Sequence, residues 1–138
     1  MTERFLIDTN ILVYAFTDLD IKKKEKARET ITFAQSSGQG YISKQNIIEL
    51  INTTHKLKIR EPNSQLCKVI SGLEFLRIID YSTGSIKKAL DLETKANLDF
   101  FDSLIVQTML ENDIYTIYTE NEKHFNRIEN LKVINPFK

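Results

Sequence analysis

The amino-acid sequence predicts an α/β protein: a three-layer α/β/α sandwich with a central parallel sheet between two layers of helices. Short apolar or β-branched runs alternate along the chain with longer segments of helical periodicity. Two helical segments separate most consecutive strands, and parallel strands need such crossover connections. Because these crossovers are right-handed, helices should cover both faces of the sheet. A chain of 138 residues leaves little room for a second domain, so residues 1–138 are expected to form one.

The first half of the chain is predicted to contain two strands and four helices. In order, these are a strand at 4–8, helices at 11–16 and 22–36, a strand at 41–42, a helix from 43 to about 55 and a helix from about 63. Small and apolar residues at helical spacing predict the helix at 22–36, which Gly38 and Gly40 should end. Ser43 is a favourable N-cap, and Pro62 marks the start of the helix after it.

The second half is predicted to contain three strands and two helices. In order, these are a strand at 77–81, a helix from about 82, a helix from 99 to about 111, and strands at 115–119 and 132–134. The segment Tyr-Thr-Ile-Tyr-Thr at 115–119 is rich in the β-branched and aromatic residues typical of strands. The predicted order is β-α-α-β-α-α-β-α-α-β-β.

Composition and charge narrow the class of protein. The chain has 19 basic and 19 acidic residues, which argues against a strongly basic coat for duplex nucleic acid. Two basic clusters, 22–28 and 56–60, are interpreted as solvated helix faces. Cys67 is the one cysteine, so no internal disulfide is expected, and it is predicted to be a half-buried hydrophobe.

No apolar run approaches the length of about 18 residues that a transmembrane helix needs. The start of the chain also lacks the basic region and long apolar stretch of a signal peptide. We therefore expect a cytoplasmic protein with no contact to a membrane.

Acidic and polar residues follow several of the predicted strands. Ligands of parallel sheets bind beyond the carboxyl ends of the strands, which draws attention to this edge. The candidates there are Asp8, Asp99, Asp102, Thr119, Glu120 and Asn121. Simpler roles are open for two of them, since Asp8 could begin a turn and Asp99 could cap a helix. Glu49 lies about 160–200° from the apolar face of its helix, so periodicity alone predicts a solvated side chain.

Several carboxylates at one edge would repel each other unless a cation lay between them. Few oxygen ligands, with water completing the shell, suit Mg²⁺ or Mn²⁺. Zinc is disfavoured by the lone cysteine and by the distance in sequence between the two histidines. The chain contains neither a Walker loop nor a G-x-G-x-x-G fingerprint, which leaves phosphodiester hydrolysis as the best use of the site.

Four stretches of the sequence resemble, in order and spacing, the four motifs of PIN-domain proteins. They are FLIDTNILVYA (5–15), NIIELINT (46–53), NLDFFDSLIVQTM (97–109) and IYTENEKHF (117–125). This resemblance implies a Rossmann-like parallel sheet and Mg²⁺- or Mn²⁺-dependent cleavage of single-stranded RNA that leaves a 5′-phosphate. By position, Asp8, Glu49 and Asp102 match the three most regular acids of the family. The resemblance therefore implies that these three are the catalytic residues and bind the metal.

The short chain is similar to the toxin ribonucleases of VapBC-type toxin–antitoxin pairs. This similarity implies a homodimer whose active-site groove is occupied by a cognate VapB-type antitoxin. The fourth motif departs from the family pattern, because Asn121 stands where an Asp is common. Glu120 could substitute as a ligand, and Thr119 matches a family hydroxyl that could orient the site. Asp99 is a further candidate site residue. Because Asn121 brings no charge, one metal is expected rather than two.

Two other functions stay open at this point. A PIN-like domain without catalytic activity could serve as a module that binds RNA or protein, and Asn121 gives that interpretation some support. A phosphoacceptor receiver domain also groups acids at a sheet edge. That fold needs an adjacent acidic pair after its first strand and a lysine after its last one, and neither is evident here.

Overall fold

The computed structural model describes residues 3–57 and 62–138. Within these residues the strands are β1 (Phe5–Ile7), β2 (Gly40–Ser43), β3 (Arg77–Ile79), β4 (Thr116–Tyr118) and β5 (Lys132–Ile134). The helices are α1 (Thr9–Phe16), α2 (Ile21–Ser37), α3 (Lys44–Lys56), α4 (Asn63–Leu73), α5 (Thr83–Ala96), α6 (Phe100–Glu111) and α7 (Glu122–Phe125). Lys58 and Arg60 of the second basic cluster lie outside the described residues. The element order confirms the prediction except for α7, a single turn that the sequence analysis did not identify.

The five strands form one parallel sheet in the order β3-β2-β1-β4-β5. β1 is central, with Leu6 in register with Tyr41 on one side and Ile117 on the other. The predicted three-layer sandwich is therefore confirmed. This topology places the residue that follows β1 at the middle of the carboxyl edge, between the ends of β2 and β4.

Each face of the sheet contributes to a separate hydrophobic core. Phe5 and Ile7 pack on one side with buried residues of α1 to α4, whereas Leu6 packs on the other side with residues of α6 and α7. All three residues of β1 are buried for this reason, which explains a continuous apolar run where alternation would otherwise be expected.

Local signals account for where several helices begin and end. Asp8 caps α1, so this helix begins at Thr9, two residues earlier than predicted. Gly38 ends α2 in the left-handed conformation, with φ of 70°. Ser43 forms a capping box with Asn46 at the start of α3, which confirms its predicted role.

Three lysines of the basic cluster in α2 form ion pairs. Lys23, Lys24 and Lys26 pair with Glu120, Asp18 and Glu29, respectively. The sequence analysis interpreted this cluster as a solvated helix face and did not predict these ion pairs. Cys67 is exposed, which contradicts its predicted half-buried position. Among residues 3–57 and 62–138, no helix combines the length and apolar character needed to cross a bilayer.

Gly40 allows close approach of α2 to the sheet, which gives a test of the packing. A Cβ at this position would overlap the Cβ of Ala34 and lie 2.8 Å from its Cα. We expect Gly40→Ala to lower the free energy of unfolding by about 1–3 kcal/mol through overpacking. In α4, a Cβ at Gly72 would meet no atom within 4 Å, so Gly72→Ala should be neutral or stabilising by up to about 1 kcal/mol. Urea denaturation measures the free energy of unfolding of both variants. Equal values for Gly40→Ala and Gly72→Ala would contradict the close contact between Gly40 and Ala34.

Candidate active site

Three acidic side chains from three different elements line one cavity at the carboxyl edge of the sheet. Asp8 follows β1, Glu49 lies in the middle of α3, and Asp102 lies in the first turn of α6. The cavity has a volume of about 730 Å³ and is also lined by Asn121, which follows β4. The sheet topology thus brings together residues that are distant along the chain.

Asp8 is held at the base of this cavity by hydrogen bonds and is only 5% exposed. Its Oδ1 accepts the Thr9 N–H at 2.8 Å, and its Oδ2 accepts the Thr119 hydroxyl at 2.8 Å and the Asn10 amide at 3.2 Å. Burial raises the pKa of Asp8 to about 7, even though the hydrogen bonds from Thr119 and Thr9 act in the opposite direction. Asp8 therefore both caps α1 and faces the cavity, so the two interpretations of this residue are compatible.

Glu49 is connected to Asp8 through Thr9. The Thr9 hydroxyl donates to Glu49 Oε1 at 2.8 Å and accepts from Asn46 Nδ2 at 3.0 Å. Burial raises the pKa of Glu49, and the charges of Asp102 and Asp99 raise it further. Glu49 is half-buried, and the solvated side chain predicted by helical periodicity is wrong. The reason is that α3 presents a second, polar buried side toward the cavity.

Asp102 is half-buried and interacts with a histidine that the sequence did not single out. His124 Nδ1 lies 3.2 Å from Asp102 Oδ2. Burial raises the pKa of Asp102, as does the nearby charge of Asp99, whereas His124 lowers it. His124 lies on α7, within the fourth resembling stretch, and no spacing rule relates it to Asp102.

The four secondary candidates have different surroundings. Thr119 is fully buried and bonds to Asp8, whereas Asn121 is exposed and lines the cavity. The carboxylate of Glu120 pairs with Lys23 and accepts the Tyr14 hydroxyl at 2.7 Å. Asp99 Oδ2 accepts the Phe101 N–H at 3.1 Å and caps α6, as the simpler interpretation predicted.

Neutral side chains missed by the sequence analysis complete the site. The Asn10 amide nitrogen lies 3.2 Å from both Asp8 Oδ2 and Thr119 Oγ1, and its oxygen accepts the Glu120 N–H at 3.3 Å. Gln45 Nε2 donates to the Phe101 carbonyl at 2.8 Å and thereby links α3 to the start of α6. Asn10 lies in the first resembling stretch and Gln45 directly before the second, but only the fold shows what their side chains contact.

The donor chemistry of the site fits a hard divalent cation. Asp8, Glu49 and Asp102 are all buried or half-buried. The charges of Glu49 and Asp102 raise the pKa of Asp8, and the charge of Asp102 raises the pKa of Glu49. A cation with oxygen preference would relieve this repulsion. Within the described part of the chain, no three His, Cys, Asp or Glu side chains are arranged to coordinate one ion as they are oriented. Glu49 and Asp102 instead bond to Thr9 and His124.

Comparison with known proteins relates this geometry to a family. The sequence model of the PIN domain matches residues 5–131. No curated protein matches the chain. Among solved structures, a chain of a toxin–antitoxin complex from Klebsiella pneumoniae is 22% identical with a TM-score of 0.70, and the alignment covers 95% of this chain and 96% of that one.

Two further solved structures have the same fold. A chain of DNA-bound VapBC from Salmonella typhimurium is 21% identical, with a TM-score of 0.70 and coverage of 98% of this chain and 99% of that one. VapC20 of Mycobacterium tuberculosis, a toxin that cleaves the sarcin–ricin loop, is 11% identical, with a TM-score of 0.70 and coverage of 88% and 93%. Because the PIN match spans nearly the whole chain and includes all three cavity acids, the protein belongs to the PIN domain family.

Proposed function

We propose that this protein is a Mg²⁺- or Mn²⁺-dependent endoribonuclease that cleaves single-stranded RNA, and that it is the toxin of a type II toxin–antitoxin pair. The observation that carries the proposal is the convergence of Asp8, Glu49 and Asp102 on one cavity, where mutual repulsion and burial call for a cation. The similarity in fold to VapC20, a toxin that cleaves the sarcin–ricin loop, supports the choice of substrate.

The chain's own residues suggest a division of roles. Asp8, Glu49 and Asp102 would hold the metal, and Thr9, Asn10 and Thr119 orient two of these carboxylates through the hydrogen bonds described above. When bound, Mg²⁺ or Mn²⁺ lowers the pKa of a water and neutralises charge on phosphoryl oxygens.

The remaining cavity residues bear on metal number and on substrate binding. Asn121 offers a neutral oxygen rather than a carboxylate, which favours one metal over two. Lys56, in the last turn of α3, lines the cavity and would contact the phosphate backbone.

We also propose a VapB-type antitoxin and a second copy of the chain as partners in the cytoplasm. Two of the similar structures are of a toxin–antitoxin complex and of DNA-bound VapBC, which supports the antitoxin. Leu19, Ile48 and Leu57 are exposed at the cavity and offer apolar contact area for a protein segment.

A catalytically silent PIN domain is the second candidate. It is favoured by Asn121 at the fourth position and by the present orientation of Glu49 and Asp102 toward Thr9 and His124. Such a module needs no affinity for Mg²⁺ or Mn²⁺. Calorimetric titration of the purified chain with Mn²⁺ separates the two candidates, because the nuclease requires binding that Asp8→Asn weakens.

Substitution of the cavity acids tests catalysis directly. We expect Asp8→Asn and Asp102→Asn each to lower the rate of cleavage of a single-stranded RNA at least about a hundredfold, because each removes a charge that would hold the metal. Excess EDTA should abolish cleavage, and added Mn²⁺ should restore it. The assay is gel analysis of a labelled RNA with antitoxin-free protein.

Asp113→Asn is the matched control for this test. Asp113 is an exposed carboxylate at the opposite edge of the sheet, and its φ of 55° is one that Asn tolerates well. Its cleavage rate should equal that of the unaltered protein. Full activity of Asp8→Asn or Asp102→Asn would overturn the proposed mechanism.

The raised pKa of Asp8 predicts how stability depends on pH. The folded protein holds this proton up to a pH of about 7, whereas the unfolded chain releases it near pH 3.9. Stability in EDTA should therefore fall as pH rises from about 4 to about 7. Asn does not titrate, so the Asp8→Asn variant should not lose stability in this way. The free energy of unfolding of Asp8→Asn minus that of the unaltered protein should therefore rise by up to about 4 kcal/mol between pH 4 and pH 8.

Urea denaturation at several pH values measures this difference, and a metal titration complements it. Protons and metal compete for the same carboxylate, so Mn²⁺ should stabilise the unaltered protein more at pH 8 than at pH 5.5. A stability difference between the two proteins that does not vary with pH would show that Asp8 is ionised at an ordinary pKa.

A further inference from the structure

An aromatic ring stands exposed beside the acids of the cavity. Phe101 immediately precedes Asp102, lines the same cavity as all three acids, and leaves 57% of its surface exposed. A single exposed apolar residue is ordinary on a protein surface. This one differs from Leu19, Ile48 and Leu57, the other exposed apolar residues of the cavity, because it presents a flat aromatic ring directly beside an acid of the site.

The position of Phe101 is fixed on several sides. Its N–H donates to Asp99 Oδ2 at 3.1 Å, and its carbonyl accepts from Gln45 Nε2 at 2.8 Å. Its ring packs edge-to-face on Phe100, with centroids 5.6 Å apart and an interplanar angle of 72°. The backbone and one side of the ring are therefore ordered, while more than half of the side chain stays open to a ligand.

Tyr14 is the other aromatic residue that lines the cavity, and its hydroxyl and ring are both in contact with other side chains of the protein. Its hydroxyl donates to Glu120, its ring packs against Phe137 at 5.2 Å, and Lys23 Nζ lies 5.0 Å from its centroid. Of the described cavity residues, Phe101 is thus the aromatic one with a ring available for stacking.

We propose that Phe101 is a stacking platform for the nucleobase next to the scissile phosphate. This inference rests on the proposed ribonuclease function. A phosphate positioned by a cation that the three acids would hold leaves the attached nucleoside at the cavity wall. A flat apolar surface there is the complementary partner for a base. Stacking on an aromatic ring accepts any base, because every base has a flat π-face.

The first test compares an intact and an abasic substrate. The cut site of a single-stranded RNA is mapped, and matched RNAs carry an abasic nucleotide on either side of the cut. Phe101→Leu should lower kcat/KM on the intact RNA by about 5- to 150-fold. On the RNA that is abasic at the stacked position, Phe101→Leu and the unaltered protein should have equal kcat/KM. Phe101→Trp should restore the preference for the intact RNA.

The second test reads stacking without cleavage. A single-stranded RNA with 2-aminopurine in place of each adenine is mixed with protein in Ca²⁺. Its fluorescence should be quenched by the unaltered protein and by Phe101→Trp, but much less by Phe101→Leu. Phe75→Leu is the matched control, because Phe75 is 81% exposed and lies outside the cavity. It should behave as the unaltered protein does in both tests.

The outcomes separate this inference from the function on which it rests. An equal loss on intact and abasic RNA would mean that Phe101 acts only by supporting Asp102, and would overturn the inference. Unchanged cleavage of both RNAs, with weaker binding of an antitoxin or of a second copy, would assign Phe101 to a protein contact and overturn it as well. Failure of the unaltered protein to cleave RNA would overturn the proposed function, and the 2-aminopurine measurement would still decide whether the ring stacks on bases.

Discussion

The burial of one carboxylate, that of Asp8, is the constraint on which the rest of the site depends. It follows the central strand of the sheet, which is covered on both faces, so it has little access to water. A charged carboxylate there is unfavourable unless donors and a counter-charge compensate. Thr9, Asn10 and Thr119 supply the donors, yet the pKa still rises, since burial outweighs them. The missing compensation is positive charge, which is why a metal-dependent activity suits this position.

Neutral side chains, rather than opposite charges, set the spacing of the acids. The Thr9 hydroxyl lies between α1 and α3 and has a defined direction, because it accepts from Asn46 and donates to Glu49. Gln45 ties α3 to the start of α6 in the same way. None of these donors titrates, so their hydrogen bonds do not depend on a change in their own charge with pH.

The fold could be predicted from local patterns because each element carries its own signal. The apolar run of β1, the cap at Ser43 and the cap at Asp99 are properties of a few neighbouring residues, and the structure contains all three. The surroundings of Glu49 could not be predicted in this way. Periodicity assigns a helix one apolar buried side, but α3 also buries Gln45 and Asn46 against the site. Only the packing of α1 and α6 makes that polar side an interior one.

The contact between His124 and Asp102 could not be predicted from the sequence for a related reason. It lies on α7, a single turn too short to produce a periodic pattern, and its partner Asp102 is on a different helix. The contact exists because β4, which precedes α7, ends at the carboxyl edge of the sheet, where the first turn of α6 also places Asp102. Distance along the sequence therefore cannot predict that His124 and Asp102 are close, whereas the order of strands in the parallel sheet can.

The distribution of charge around the cavity also bears on the number of metals. A fourth carboxylate, Glu120, follows β4, but Lys23 pairs with it and Tyr14 donates to it. Its charge is thus compensated within the protein, and the next residue, Asn121, carries none. Three acids remain to be neutralised, with His124 beside one of them. A single divalent cation nearly balances that charge, whereas a second would have few uncompensated carboxylates to hold it. The pairing of Glu120 with Lys23 therefore supports the proposed single metal, as Asn121 does.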